Sequence, residues 1–109
     1  MRAVLLLTVL ALTACKGDPV KCEQASRNFA TLTYWSKANA EIAKLPPEQR
    51  QAMRKRKLGD FTNELETRID LIVSQCQSAN NEEQIDCMIA AKTAEQALAC
   101  AELAPDAKP

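Results

Sequence analysis

The fold is decided by the stretch from Cys22 to Pro47, which reads CEQASRNFATLTYWSKANAEIAKLPP. Residues spaced three and four apart along this stretch are nearly all apolar, a spacing typical of one face of an α-helix. Pro46 and Pro47 end this helix, because the residue before a proline is pushed out of the helical region. Pro47 also suits the first turn of a following helix. The row comprises Cys22, Ala25, Phe29, Leu32, Trp35, Asn39, Ile42 and Leu45.

The same helical spacing continues beyond the two prolines. Gly59-Asp60 is a point where this second helix could bend or divide, since glycine weakens a helix interior by about 1 kcal/mol relative to alanine. A turn is predicted at 78–81 and a third helix over 82–92. A fourth, reaching about residue 103, opens with the capping box Thr93–Gln96. The second apolar row comprises Leu58, Phe61, Leu65, Ile69, Ile72 and Cys76.

These patterns predict an all-α fold, a small antiparallel hairpin or bundle of three to four helices over residues 20–104. No useful stretch alternates with the period of a β-strand. The chain of 109 residues has room for one small domain. The last residues, 105–109, are polar with two prolines and are expected to form a disordered tail.

The first fourteen residues have the pattern of a secretory signal peptide. Met1-Arg2 is a short positive segment, and the apolar run from Ala3 to Leu12 follows it. A bilayer needs about 20 apolar residues, so this run is too short to span one. Its length and its flanking residues are those of a signal that is removed on export.

The end of that run, Leu12-Thr13-Ala14-Cys15, resembles the lipobox of bacterial lipoproteins. The resemblance implies cleavage before Cys15 and attachment of acyl chains to it, so Cys15 is the expected lipidation site. Two or more acyl chains anchor a protein stably to a bilayer. In the Gram-negative family, Lys16 at the next position is consistent with the outer membrane. Residues 15–19 then form a short tether to the helical domain.

Once Cys15 is assigned to the lipid, four cysteines remain, and an even number in an exported domain indicates two disulfides. The helical layout favours Cys22–Cys76 and Cys87–Cys100, because an antiparallel hairpin brings each pair level. Cys76–Cys87 with Cys22–Cys100 is the alternative. A metal site would need closer ligand pairs. The spacing of these cysteines loosely resembles that of small, uncharacterised cysteine-paired lipoproteins of Gram-negative bacteria, a resemblance that implies no activity.

Composition excludes several classes of function. The 14 basic and 14 acidic residues balance, whereas a nucleic-acid-binding domain carries a basic surplus. The chain has no histidine, the commonest general base, and its two glycines cannot form a phosphate-binding loop. The carboxylates Asp60, Glu64, Glu66 and Asp70 lie side by side on one helix and form no cleft for acid–base catalysis. We therefore expect no enzyme and no cofactor apart from the covalent lipid.

Two surface features are candidates for function. Arg50, Arg54 and Lys57 share one helical face, which could contact an anionic surface or an acidic partner. The alternative is a solvated face balanced by the nearby carboxylates. Adjacent aromatics on a helix point about 100° apart. Trp35 is therefore expected in the core, and Tyr34 at its edge with its hydroxyl in water or bonded to a neighbouring helix.

The sequence as a whole predicts a lipid-anchored protein of the cell envelope that acts as a non-catalytic interaction or accessory module. Its expected partners are the membrane, through the anchor, and a protein of the envelope. The alternative is a binder of a small hydrophobic or lipidic ligand between the helices. A ligand binder should contain an apolar cavity of several hundred Å³. An interaction module should have a packed core and an exposed apolar patch.

Overall fold

A computed structural model describes residues 17–103, and all regular structure in that range is helical. The predicted all-α fold is confirmed. The four helices are α1 (Pro19–Ala43), α2 (Pro47–Ala79), α3 (Glu82–Ala90) and α4 (Ala94–Ala101). The predicted signal peptide, the Cys15 lipidation site and the tail at 105–109 lie outside the described residues.

The two long helices form an antiparallel hairpin. Asp18 caps α1 by accepting a hydrogen bond from the Val20 amide at 2.8 Å, and Pro19 occupies the first turn, where its missing N–H costs nothing. α1 ends at Ala43, just before the two prolines, and α2 begins at Pro47. The predicted weak point at Gly59 leaves α2 undivided over 33 residues.

The short helices are separated by turns with clear chemical causes. Asn80 adopts the left-handed conformation (φ 46°) that closes α2, and Asn81 caps α3 by accepting from the Gln84 amide at 3.2 Å. α3 ends at Ala90, earlier than predicted, because Ala91 is extended. The Thr93 hydroxyl oxygen accepts from the Gln96 amide at 3.1 Å, and the Gln96 side chain accepts from the Lys92 amide at 2.8 Å.

Both favoured disulfides are present, which confirms the preferred pairing. Cys22–Cys76 joins the start of α1 to the end of α2 with a Cα–Cα distance of 5.8 Å. Cys87–Cys100 joins α3 to α4 at 5.6 Å. Each bridge lies in a buried cluster: one contains Cys22, Ala25 and Ile85, the other Ala91, Ala97 and Cys100. The disulfides therefore lie at the same end of the hairpin as the short helices.

The side-chain amide of Asn28 links α1 to the end of α3 by two hydrogen bonds, which we call the amide clasp. The Asn28 side chain donates to the Met88 carbonyl at 2.7 Å and to the Ala91 carbonyl at 3.0 Å, which lie at and beyond the end of α3. The clasp satisfies carbonyls that have no partner within α3.

At the end of the hairpin near the turn between α1 and α2, the residues that are buried are not the ones that the apolar rows predict. Asn39 is exposed while Ala38 and Ile42 are buried, and Leu58 is 52% exposed. Only α2 covers α1 there, so fewer positions are enclosed. We call this end, residues 36–57, the hairpin tip.

Candidate functional site

An apolar cleft of about 650 Å³ runs between α2 and α3, with α1 as its floor. Within residues 17–103, the backbone of α2 lies close to that of α1 but not to that of either short helix, while α3 and α4 also lie on α1. The space between α2 and α3 is therefore left open to solvent. The main apolar lining residues are Phe29, Ala30, Phe61, Leu65, Ile72, Ile85 and Met88.

The cleft has a polar rim. Glu64 and Arg68, whose spacing predicts an intrahelical ion pair, form it at 3.4 Å on the α2 wall. Gln75 adds an amide further along the same wall, and Gln84 lines the α3 side. Gln84 already donates to carbonyls at the end of α4, at 3.3 and 3.1 Å. The cleft thus combines an apolar centre with polar edges, the arrangement found in protein interfaces.

An aromatic cluster joins α1 to α2 next to the cleft. The Tyr34 and Phe61 rings lie 4.7 Å apart between centroids, and Trp35 packs edge-on against Tyr34 at 5.5 Å. The Tyr34 hydroxyl donates to the Lys57 carbonyl at 2.9 Å, a bond to the neighbouring helix, as one of the two sequence expectations had it. Trp35 is only half-buried, so it lies at the margin of the core rather than inside it.

The three basic residues that share one predicted helical face, Arg50, Arg54 and Lys57, differ in their contacts. Arg50 donates to the Leu45 and Ala43 carbonyls at 2.9 and 3.2 Å, so it closes the end of α1. Lys57 forms an ion pair with Glu41; this hydrogen bond raises the pKa of Lys57 and lowers the pKa of Glu41. Arg54, by contrast, is exposed and makes no hydrogen bond or ion pair within residues 17–103.

The α2 carboxylates Asp60, Glu64, Glu66 and Asp70 are all exposed. Glu66 accepts a hydrogen bond from Arg27 of α1 at 2.8 Å, which lowers the pKa of Glu66 and raises that of Arg27. In the described part of the chain, no group of three His, Cys, Asp or Glu side chains is placed to hold a metal ion. None of the four helices is long and apolar enough to cross a bilayer.

The sequence raised an apolar cavity between the helices only as its alternative function, and its patterns gave neither the position of the cleft nor the interhelical pairs Arg27–Glu66 and Lys21–Asp86. Periodicity identifies the apolar face of each helix but not which two faces meet. The one available signal was the width of the α2 row. Phe61, Leu65 and Ile72 line the cleft while Ile69 is buried, so α2 has more apolar surface than α1 covers.

Comparison of the chain with family models, curated proteins and solved structures finds no significant match.

Proposed function

We propose that this chain is a lipid-anchored protein of the bacterial cell envelope whose helical domain is a non-catalytic binding module. In this proposal the cleft between α2 and α3 receives one helix of an envelope protein. The apolar surface that the cleft leaves open to solvent, which is the exposed apolar patch expected of an interaction module, is the observation that carries the proposal. The proposed anchor rests on the resemblance of Leu12–Cys15 to a lipobox, and Lys16 after it supports the outer membrane as the proposed location.

The shape of the cleft favours a helix as its occupant. The lining residues of α2 extend from Phe61 to Ala79, about 27 Å at 1.5 Å per residue. That is the length of five turns, and the cleft is open to solvent between its two walls. Recognition of an amphipathic helix in an apolar groove uses anchors at such spacing. A helix docked here would contact α1, α2 and α3 together and cover their shared apolar surface.

A lipidic ligand is the second candidate, and the volume of the cleft favours it. Small-molecule sites commonly measure about 300–1,000 Å³ and are mainly apolar, and the 650 Å³ of this cleft lie within that range. Phe29, Leu65 and Met88 would contact an acyl chain without any need for a charged partner.

The test is mild crosslinking of the full-length chain in the membranes of its native cells, followed by mass spectrometry of captured proteins and copurified lipids. The Ile72→Glu variant places a charge in the cleft wall. Leu98→Glu is the matched control, since Leu98 is 53% exposed on α4 and does not line the cleft. Capture of one envelope protein that Ile72→Glu abolishes and Leu98→Glu retains supports helix docking.

Other results contradict the proposal in distinct ways. A copurified lipid that disappears in Ile72→Glu, with no protein captured, would replace helix docking with the lipidic ligand. Capture or copurification that is the same in both variants would exclude the cleft as the site. The anchor is tested separately with Cys15→Ser, which should lose both labelled palmitate and membrane association. Retention of both would refute lipidation at Cys15.

A further inference from the structure

Charge is distributed unevenly along the hairpin, although the basic and acidic residues of the whole chain balance. The hairpin tip, residues 36–57, contains seven Lys and Arg side chains but only two carboxylates, Glu41 and Glu48. The rest of the described chain, residues 17–35 and 58–103, contains four basic and eleven acidic side chains. The tip therefore carries a net charge of +5 and the remainder a net charge of −7.

Most of the positive charge of the hairpin tip is exposed and faces several directions. Arg50 and Lys57 are occupied, the first by carbonyls at the end of α1 and the second by Glu41. Since consecutive residues of a helix point about 100° apart, the three basic residues at 54–56 of α2 point in three different directions. The tip is thus positive on several sides rather than on one face. The exposed basic residues are Lys37, Lys44, Arg54, Lys55 and Arg56.

The surface of the hairpin tip favours anionic lipid headgroups over an acidic protein as its partner. Protein partners are commonly held by aromatic and arginine anchors at the centre of the contact. Residues 36–57 contain arginines but no aromatic residue, and none of their large apolar side chains is exposed. A protein surface would also meet one side of the tip, whereas a layer of headgroups can contact charges on several sides. Long Lys and Arg side chains reach such a layer, and each strengthens binding to an anionic leaflet about fivefold.

The hairpin tip lies at the end of the domain opposite the proposed lipid anchor. The Gly17 amide donates to the Gln77 carbonyl at 3.0 Å, and the Gln77 side chain donates to the Gly17 carbonyl at 3.1 Å. Cys15 precedes Gly17 by two residues, so an acyl chain on Cys15 would be attached near this end of α2. From Gln77 back to Pro47, α2 is about 45 Å long at 1.5 Å per residue.

We propose that the hairpin tip binds the phosphate-bearing headgroups of an anionic lipid surface, in addition to the anchor at the other end of the domain. The proposal rests on the lipid anchor of the proposed function. Held at both ends, the domain lies along the bilayer instead of standing out from it. The attraction of the tip is electrostatic, so salt weakens it, whereas acyl chains are held by burial in the bilayer.

The test measures how close the tip lies to the bilayer, in the purified full-length chain with its lipid attached. A donor fluorophore is placed on Gln51→Cys, an exposed position of the tip, and acceptors are placed on the headgroups of vesicles. The vesicles are phosphatidylcholine alone or an equal mixture of phosphatidylcholine and phosphatidylglycerol. We expect strong energy transfer only with phosphatidylglycerol and its loss in about 0.5 M salt, while the chain still floats with both kinds of vesicle.

A charge-matched pair of variants separates the tip from the net charge of the chain. Lys55→Glu with Arg56→Glu should lose the energy transfer on phosphatidylglycerol vesicles. Lys21→Glu with Lys92→Glu is the control and should retain it, since it makes the same change in net charge at exposed positions outside the tip. Energy transfer that is equal on the two kinds of vesicle, insensitive to salt, or reduced equally in both variants would overturn the tip contact.

Failure of the anchor gives a different result, because flotation of the chain with vesicles reports on it separately. A chain that floats only with phosphatidylglycerol vesicles, and only with its tip charges intact, would refute the anchor and retain the tip contact. A chain that floats with neither kind of vesicle would refute both. If Lys55→Glu with Arg56→Glu weakened self-association in sedimentation equilibrium and left energy transfer unchanged, the acidic end of a second copy would replace the lipid surface as the partner.

Discussion

The side-chain amide of Asn28 links α1 to the end of α3. Its bonds to the Met88 and Ala91 carbonyls cross from α1 to the end of α3. A partly buried carbonyl without a donor costs about 1–3 kcal/mol. We therefore expect Asn28→Ala to lower the free energy of unfolding by that amount in urea titrations with the disulfides intact. Asn39→Ala, at an exposed position on the same helix, is the control and should change it little. Equal effects would show that the clasp contributes nothing specific.

The ion pair at the hairpin tip makes stability depend on pH at both extremes. The hydrogen bond from Lys57 lowers the pKa of Glu41, so the folded state holds that proton less tightly than the unfolded state. Its stabilising effect is present above the ordinary carboxyl pKa of about 4.3 and is lost as the pH falls through the lowered value. Glu41 likewise raises the pKa of Lys57, so the Lys57 contribution is present below about 10.4 and lost as the pH rises further.

Glu41→Gln should remove both effects. The difference in unfolding free energy between the natural chain and this variant should be constant near neutral pH and shrink towards both extremes. Glu48→Gln, which leaves the Glu41–Lys57 pair in place, should show no such profile. If the difference in unfolding free energy between the natural chain and Glu41→Gln did not change with pH, the charges of the Glu41–Lys57 pair would add no net stability.

At the scale of the helix, α2 contains a glycine that its packing does not require. Gly59 has a negative φ, and a Cβ there would meet nothing within 4 Å. Gly59→Ala should raise the free energy of unfolding by about 1 kcal/mol, because alanine loses less backbone entropy. Thermal unfolding of dilute protein measures this. Gly17→Ala is the contrast, since its Cβ would lie 3.2 Å from the Asn80 side chain and 3.4 Å from the Gln77 Cα; we expect no gain.

The helices show which features of the fold are set by neighbouring residues and can therefore be predicted from the sequence. The C-terminal end of α1 and the start of α2 followed from two prolines, and the start of α4 from Thr93 and Gln96, because helix ends depend on neighbouring residues. The helical layout favoured the observed disulfide pairs and left one other pairing open. The sequence did not decide whether α2 continues through Gly59. The free-energy cost of a glycine inside a helix opposes continuation, whereas packing of the residues on both sides of Gly59 favours it. The position of the cleft was not predicted, because periodicity does not show that α2 and α3 stay apart.

At the scale of the whole molecule, the two disulfides close loops of very different length. Their sequence separations are 54 and 13 residues. In the chain-entropy model, the longer loop contributes about 4 kcal/mol and the shorter about 3. Cys22→Ala with Cys76→Ala should therefore destabilise the domain more than Cys87→Ala with Cys100→Ala, as measured by urea unfolding. The reverse order would mean that attachment of α4 to α3, rather than loop closure, dominates.

Both bridges and both buried clusters lie where α3 and α4 cover α1, so stability should be uneven along the hairpin. The hairpin tip has only α1 against α2, with Ala38 and Ile42 as its buried residues. Regions with few buried apolar contacts open at lower free energy than the global unfolding transition. Amides of 36–57 should therefore exchange with deuterium faster than those of 20–32. Ile42→Ala should accelerate exchange at the tip alone, whereas Ile85→Ala should accelerate it beside the disulfides. Equal protection throughout would instead mean that the domain unfolds as one cooperative unit, with the tip held as firmly as the bridged end.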